Sequence, residues 1–335
     1  MGGDPNMGKF LVRRILLSIM ILFFVMFIIY LLEYSLPTSY VETMARTLAS
    51  QPGSKSYAEW LADLNAQYGM DKGVLAGFFT WLGNMLVGNF GDSWFYTMPV
   101  VQKFNESVWP SFYMGIVSFI LQIAIAIPLG VAAARKQYSI MDYSVTVIAL
   151  VGISLPTFFV ATVLKLVFCV WLKWFDISGM HSARLVAEPG TFLYFMDTVK
   201  HYVLPVLTLT IIGIGGLMRY TRTNMLEVLN ADYIRTARAK GLSEKKVINY
   251  HAFRNTLIPL VTILGGTLPG LFSGALVTET LFGFGGIGFA SYNSMINGDI
   301  PFTMFYLSFM AVLTLVGNLL ADILYAVVDP RVRVN

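Results

Sequence analysis

Six long apolar stretches alternate with polar ones along the chain, at about residues 10–32, 108–133, 143–174, 201–218, 259–282 and 304–328. A helix of about 17–25 apolar residues is long enough to cross a hydrocarbon core roughly 30 Å thick. The pattern therefore predicts an all-α integral membrane protein with six transmembrane helices.

The first apolar stretch resembles a signal peptide at its start, because Arg13 and Arg14 precede it. It ends at Glu33 without the small residues of a cleavage site, so we expect it to be retained as the first span. Met1–Asn6 precede a second methionine, Met7, and are left out of the predicted fold, while the question of whether they are a leader stays open.

The polar stretch between the first two spans, residues 33–107, carries two further helical patterns. The first consists of four side chains at helical spacing, which are Tyr57, Trp60, Leu61 and Leu64. The second is an apolar group from Val74 to Leu86. The two patterns predict a helical extracytoplasmic segment that lies against the membrane surface or covers the ends of the spans.

Residues 219–258 form the longest polar stretch between later spans, and their pattern predicts a helix, a turn and a second helix. The apolar stripe of the first helix consists of Leu226, Leu229, Tyr233 and Ala237. Gly241 stands where a helix C-cap falls, and Ser243 is suited to cap a second helix through Val247 and Ile248.

The composition excludes a cytosolic globular enzyme. Hydrophobic residues make up 56% of the 335 residues and charged residues 13%, whereas a typical soluble domain has about 25% charged residues. The only cysteine, Cys169, lies in an apolar run, which excludes an intrachain disulfide, a CxxC redox pair and a cysteine-rich zinc site.

The basic residues indicate the orientation. Fifteen of the 23 Lys and Arg residues fall on one side of the six-span arrangement. These are Lys9, Arg13, Arg14, Arg135, Lys136, Arg219, Arg222, Arg235, Arg238, Lys240, Lys245, Lys246, Arg254, Arg331 and Arg333. Because basic loops stay in the cytoplasm, we expect both termini and the 219–258 stretch to be cytoplasmic.

Two glycine-rich runs match nucleotide motifs without their context. The run from Gly3 to Lys9 has the spacing of a phosphate-binding loop, but Phe10 replaces the Ser or Thr that holds magnesium. The run Gly283–Gly288 satisfies GxGxxG, yet it follows a membrane helix, and a bend is the better interpretation. No histidine pair has metal-ligand spacing and no serine has a nucleophile context. We expect a non-catalytic chain that binds neither ATP, another cofactor nor a metal.

Ionisable residues inside spans are candidates for function, because burying one near a bilayer centre costs roughly 2.5–3.5 kcal/mol. Lys165, Glu279 and Asp322 are such residues, and Asn318 lies one helical turn before Asp322. For Glu279, Asn318 and Asp322 two roles remain open, which are pairing between helices and lining of a polar pathway.

Three groups of residues together resemble a known family. The stretch from Asp232 to Ile248, followed by His251-Ala-Phe-Arg-Asn and Leu257-Ile-Pro, is similar to the EAA loop of permease subunits in ABC importers. Glu279-Thr-Leu-Phe, the Gly285-Gly-Ile-Gly turn and the tail from Asp322 to Arg333 match that family in order and spacing, as do residues 67–71, 81–84 and 88–91. More narrowly, the chain resembles the B-type permease of dipeptide and oligopeptide importers.

The resemblance implies a type I ABC importer permease fold, with residues 1–335 as a single multi-pass transmembrane domain in a prokaryotic cytoplasmic membrane. It implies a second, homologous permease, two cytoplasmic ATPase subunits that bind ATP and magnesium, and an extracytoplasmic substrate-binding protein. The residues implied to couple the chain to the ATPases are Arg235, Ala237, Arg238, Ala239, Lys240, Gly241, Leu242 and Glu244. We expect Ala237 and Ala239 to form one small-residue surface for docking.

Other functions remain open at this stage. Related permeases import oligosaccharides or nickel, and a passive channel is a distant alternative. Two positions depart from the family pattern, since Arg235-Thr-Ala replaces Glu-Ala-Ala and Leu36-Pro-Thr-Ser replaces Pro-Gly-Asp-Pro. The first leaves coupling intact in our interpretation, and the second concerns the fold after the first span and the contact with a binding protein.

Overall fold

The structure is a computed structural model that describes residues 5–35, 40–68, 70–182 and 188–328. The described chain is almost entirely helical. Its α-helices are α1 Pro5–Ser35, α2 Tyr40–Ala49, α3 Tyr57–Tyr68, α4 Gly73–Leu86, α5 Val100–Arg135, α6 Ile140–Ser154, α7 Thr157–Lys165, α8 Phe192–Leu229, α9 Asp232–Ala239, α10 Glu244–Lys246, α11 Phe253–Gly266, α12 Leu268–Phe272, α13 Leu276–Phe282, α14 Ile287–Ile296 and α15 Ile300–Val328. A 3₁₀ turn covers Met70–Lys72, π-helical turns cover Leu166–Trp171 and Val247–Ala252, and a short hairpin pairs β1 Asp92–Ser93 with β2 Met98–Pro99.

Four of the helices, α1, α5, α8 and α15, are long and apolar enough to cross a membrane. Two pairs of shorter helices, Ile140–Ser154 with Thr157–Trp171 and Leu268–Phe282 with Ile287–Ile296, pass the same test only when each is taken together. The described residues therefore contain four candidate spans, or six if each interrupted pair is one span. The all-α prediction is confirmed, and the predicted number of six holds only under that condition.

The predicted third and fifth spans are not continuous helices. In the third, α6 and α7 meet at an angle of 99° at Pro156. Proline has no N–H group and forces the preceding residue out of the helical region, and Leu155 accordingly has ψ 128°. The predicted fifth span, 259–282, is divided among α11, α12 and α13, with Gly274 at positive φ in the second break.

The chain divides into two compact units, and unit 1 contains residues up to Trp109 together with 287–316. In this unit α4 packs against α1, because Phe78 is fully buried with ring contacts to Phe23, Phe27 and Tyr30 at 5.7, 5.1 and 5.7 Å. The helices predicted from the Tyr57 and Val74 patterns are confirmed as α3 and α4.

A buried carboxylate ties the hairpin of unit 1 to the start of α15. Asp299 is fully buried and precedes the first residue of α15. Its carboxylate accepts hydrogen bonds from the Ser93 hydroxyl and from the Trp94 N–H, the latter at 3.0 Å. Burial raises the pKa of Asp299 above its usual value, although these donors act in the opposite direction.

Among the described residues, unit 2 contains Pro110–Gly286 and 317–328. Its core includes small and medium side chains from α5, α6 and α8, which are Ala126, Ala133, Val145, Ala149 and Met218. Small residues let helix backbones approach closely, and this type of packing is common between helices in membranes.

Candidate functional site

The first helix of the predicted 219–258 stretch is two helices, α8 and α9, separated at Asn230 and Ala231. This break resets the helical phase, so the predicted stripe does not continue through Tyr233. Tyr233 is 48% exposed, whereas its neighbour Ile234 is fully buried. Tyr233, which the sequence pattern placed in the apolar stripe, is therefore not on the buried side, because a single helical period does not apply across a break.

The underside of α9 packs on an apolar cluster within unit 2. The buried members of this cluster are Ala134, Met225, Ile234, Ala237, Val247, Ile248 and Ala252. They belong to α5, α8, α9 and the π-helical turn that leads into α11. Since its contacts come from three other elements, α9 is held on the bundle by tertiary packing rather than by its own eight residues.

Gly241 forms the turn after α9, as predicted. Its φ is +76°, a region that side chains with a Cβ rarely adopt, and its N–H donates to the Arg238 carbonyl at 3.0 Å. The next helix begins directly after Ser243, whose backbone is extended, but the Ser243 hydroxyl makes no capping hydrogen bond there.

A bidentate ion pair spans this turn. The Arg238 Nη2 and Nε groups donate to the two Glu244 carboxylate oxygens at 2.8 and 3.2 Å. The hydrogen bond from Arg238 lowers the pKa of Glu244, and the same bond raises the pKa of Arg238. Both side chains are about half exposed, so the pair contributes to the shape of the turn more than to stability.

The predicted coupling residues fall into two groups. Arg235, Arg238, Ala239, Lys240, Gly241 and Glu244 are exposed, and Leu242 is partly buried against the cluster. Ala237 is only 7% exposed and lies within the cluster itself. The expected surface shared by Ala237 and Ala239 is therefore wrong, because residues two apart on a helix point about 200° apart around its axis.

Glu279 is fully buried in unit 2 and has hydrogen-bond donors from two elements. Its Oε1 accepts from the Ser111 hydroxyl of α5 at 2.6 Å and from the Ala275 N–H at 2.9 Å. Gly286 approaches so closely that a Cβ there would lie 2.3 Å from the Glu279 Cδ. The Ser111 hydrogen bond joins α13 to α5, and for Glu279 the choice between helix pairing and a polar pathway stays a prediction.

The other candidates, which are Lys165, Asn318 and Asp322, differ in environment. Asn318 is exposed on α15, and the side chain of Asp322 lies outside the described residues, as do Leu36–Ser39. The Lys165 ammonium group donates to the Leu281 carbonyl and lies 5.5 Å from the centre of the Phe282 ring. The roles predicted for Asn318 and Asp322 stay predictions.

A buried ion pair between Asp142 and Arg222 was missed in the sequence. The Arg222 Nη2 donates to Asp142 Oδ2 at 2.9 Å, and Nε donates to the other oxygen. Asp142 also accepts from the Tyr138 N–H at 2.9 Å. The Ser139–Asp142 spacing marks a helix start, which α6 confirms, but nothing in the sequence indicates Arg222 as the partner.

Among the described residues, no group of three or more His, Cys, Asp or Glu side chains could hold a metal ion. The GxGxxG run forms a turn, in which Gly283 ends α13 with positive φ and α14 begins at Ile287. The interpretation of this run as a bend is confirmed. Gly3 and Asp4 lie outside the described residues, and the run from Pro5 onward is already helical.

Large apolar side chains are exposed along the candidate spans, for example Leu16 at 62%, Phe24 at 55% and Ile120 at 56%. Helices of this length with such outward faces define an integral membrane protein that crosses the bilayer several times. The sequence profile of the binding-protein-dependent transport system inner membrane component matches residues 126–334, and that of its N-terminal part matches residues 7–104. The chain belongs to this family, and the resemblance inferred from the sequence is confirmed.

Individual relatives match most of the chain. The oligopeptide transport system permease protein AppB of Bacillus subtilis is 36% identical over 328 residues, which cover 98% of this chain and 100% of AppB. OppB of Haemophilus influenzae, an oligopeptide transport permease, is 34% identical over 82% of this chain and 86% of its own length. DppB of Escherichia coli, a dipeptide transport permease, is 34% identical over 81% of this chain and 85% of its own length.

Proposed function

We propose that this chain is the permease subunit of an ATP-driven ABC importer for dipeptides or oligopeptides, and that it forms half of the translocation pathway. The peptide cargo is favoured over oligosaccharide or nickel because AppB, OppB and DppB are peptide transport permeases. A second homologous permease supplies the other half of the pathway, and a binding protein delivers the peptide from outside.

The observation that carries the proposal is the two-sided character of the segment Asp232–Glu244. Its underside is fixed to α5, α8 and the π-helical turn that leads into α11 by the buried cluster around Ile234. Its exposed side presents charged groups together with small residues, which include Ala239 and Gly241. A partner that pushes on this side moves the helices beneath it, because close-packed contacts transmit displacement rather than absorbing it.

In the proposed mechanism two cytoplasmic ATPase subunits bind ATP with magnesium and close on each other. Closure displaces α9 and its turn, and the bundle changes between inward-open and outward-open states. Transport then rests on a coupling free energy between the nucleotide sites in the partners and the peptide pathway in the permeases. The chain performs no chemistry itself, and both of its termini lie in the cytoplasm.

Ala239→Trp tests the proposal at the exposed surface. Ala239 is a better test position than Gly241, because the φ of +76° at Gly241 would strain any side chain even without a partner. We expect Ala239→Trp to insert and fold normally but to lose ATP-driven uptake of a labelled tripeptide and to bind the ATPase subunits more weakly. The matched control is Asn249→Trp, an exposed position outside the predicted coupling residues, which should retain uptake.

Two results would contradict the proposal. Wild-type uptake by Ala239→Trp in proteoliposomes with all subunits would remove this segment from coupling. Saturable ATP binding by the purified chain alone, or uptake of an oligosaccharide or nickel in place of peptides, would remove the assignment itself.

A further inference from the structure

Unit 1 contains a cavity of about 390 Å³ with a mixed polar and aromatic wall. The walls come from the outer part of α1, the 3₁₀ turn, α4, the residues around the hairpin and the start of α15. The volume falls in the range of roughly 300–1,000 Å³ that is usual for small-ligand sites. It is the kind of cavity that binds a small, partly polar molecule.

Four polar side chains in this wall retain their hydrogen-bonding capacity. Gln67, Lys72, Asn84 and Asp92 all line the cavity, and within the described ranges none of the four side chains makes a hydrogen bond or an ion pair. They offer two amides with both donors and acceptors, one cation and one anion. Trp81 and Trp94 provide aromatic surface beside them.

A second large cavity, in unit 2, has a wall of a different kind. It measures about 610 Å³, lies between α5 and α8 in unit 2 and is lined almost entirely by apolar residues such as Val117, Leu121 and Val203. The unit 1 cavity differs because its wall carries both charge signs, which an acyl chain does not need.

We propose that the unit 1 cavity is an entry site that holds the main chain of a short peptide, with Asp92 receiving its α-ammonium group and Lys72 its α-carboxylate. This inference rests on the proposed peptide function. A peptide carries one donor and one acceptor at nearly every residue, which the Asn84 and Gln67 amides satisfy whatever the side chains are. Binding of this kind is independent of sequence, and the tryptophans contact side chains of varied shape.

Asp299 positions the acidic end of this site. Asp92 directly precedes Ser93, whose hydroxyl donates to the buried Asp299 carboxylate. The next residue, Trp94, donates its N–H to the same carboxylate at 3.0 Å. The hairpin strand that carries Asp92 is thus fixed to the start of α15, so a ligand meets a preformed wall.

The first test is photo-crosslinking in the complete transporter. A benzophenone amino acid replaces Asn84 in one sample and Leu75 in another. Each sample is illuminated while the assembly transports a radiolabelled tripeptide in proteoliposomes. Leu75 is the matched control because it is 63% exposed on α4 and nine residues from Asn84, which is half a turn around the helix. We expect the peptide to label the Asn84 probe and not the Leu75 probe.

The second test assigns the two ends of the peptide. Lys72→Gln should raise the KM for a free tripeptide about two- to fivefold, as expected for a solvated ion pair, and should have no effect with a C-amidated peptide. Asp92→Asn should show the same loss with a free peptide and none with an N-acetylated one. Equal crosslinking of the peptide to both probes would overturn the inference, as would crosslinking of the Asn84 probe to lipid and not to peptide. It would also be overturned if Lys72→Gln and Asp92→Asn raised the KM equally for free and end-blocked peptides. Absence of any peptide uptake by the wild type would instead overturn the proposed function.

Discussion

Arg222 and Asp142 form a bidentate ion pair that joins the start of α6 to the part of α8 that leads into α9. The Asp142 side chain is 3% exposed and the Arg222 side chain 25%. Because α8 is followed directly by the proposed coupling helix α9, the pair fixes one wall of the bundle next to the point where the ATPases are proposed to push.

Asp142→Ala should destabilise the protein by about 3 kcal/mol, because it leaves the Arg222 guanidinium largely buried without its partner. The double variant Asp142→Ala with Arg222→Met should recover much of that loss, since no buried charge remains. Thermal unfolding of the purified protein measures both values. If the stability loss of the double variant equals the sum of the losses of Asp142→Ala and Arg222→Met alone, the pair contributes no coupling energy.

Ala237 and Ala239 should respond in opposite ways to a large residue. Ala237→Trp places an indole in the buried cluster around Ile234 and should lower the free energy of unfolding by about 1–3 kcal/mol or more, the usual effect of overpacking a core. Ala239→Trp is exposed and should change it by less than about 0.5 kcal/mol. Thermal unfolding of the isolated permease distinguishes the two, and a reversed order would contradict the described orientation of α9.

The stability of the Asp299 site should depend on pH in a defined direction. Burial raises the folded-state pKa of Asp299 above its usual value of 3.8, so the folded state binds this proton more tightly than the unfolded state. Stability therefore falls as pH rises from about 3.8 through the raised pKa and is level above it. Asp299→Asn should flatten this slope relative to the wild type, as measured by unfolding temperature across a pH series.

Asp299→Ala should be more harmful than Asp299→Asn at neutral pH. Alanine leaves the buried Ser93 hydroxyl and the Trp94 N–H without their acceptor, at a cost of about 2–4 kcal/mol in total. Asparagine retains an acceptor for Trp94. Equal stability of the two variants would show that these hydrogen bonds do not hold the hairpin.

Gly286 and Gly285 are neighbours with different surroundings. A Cβ at Gly286 would lie 2.3 Å from the Glu279 Cδ and 2.5 Å from the Ser111 hydroxyl oxygen, whereas a Cβ at Gly285 would have no atom within 4 Å. Gly286→Ala should therefore displace the Glu279 carboxylate and cost about 2 kcal/mol or more, and Gly285→Ala should be tolerated. Comparison of their unfolding temperatures tests the close approach.

The predicted orientation can be tested with single cysteines in a Cys169→Ser background. Gln51 and Lys245 are both exposed, and the positive-inside rule assigns them to opposite sides of the membrane. Gln51→Cys should react with an impermeant thiol reagent from outside intact cells, and Lys245→Cys only after the inner face is opened. Reaction of both from the same side would contradict the topology.

Local features of the chain were predictable because they depend on neighbouring residues and on the solvent. Apolar stretches of about 20 residues must be helical in lipid, since no water is present to satisfy the backbone, and the all-α membrane fold follows from this alone. The turn at Gly241 was likewise visible, because φ preferences act within a few residues. The start of α10 after Ser243 was also predicted, although the Ser243 hydroxyl makes no capping hydrogen bond there.

Other features depend on contacts between residues far apart in the chain, and only the tertiary structure decided them. The break at Asn230 and Ala231 placed Ile234 rather than Tyr233 in the core. Arg222 and Asp142 are separated by 80 residues, and Asp299 and Ser93 by 206. The packing of whole helices determines such partners, because each buried charge needs a complementary group within hydrogen-bonding distance. The spacing of two residues along the sequence does not determine the distance between them in the folded chain.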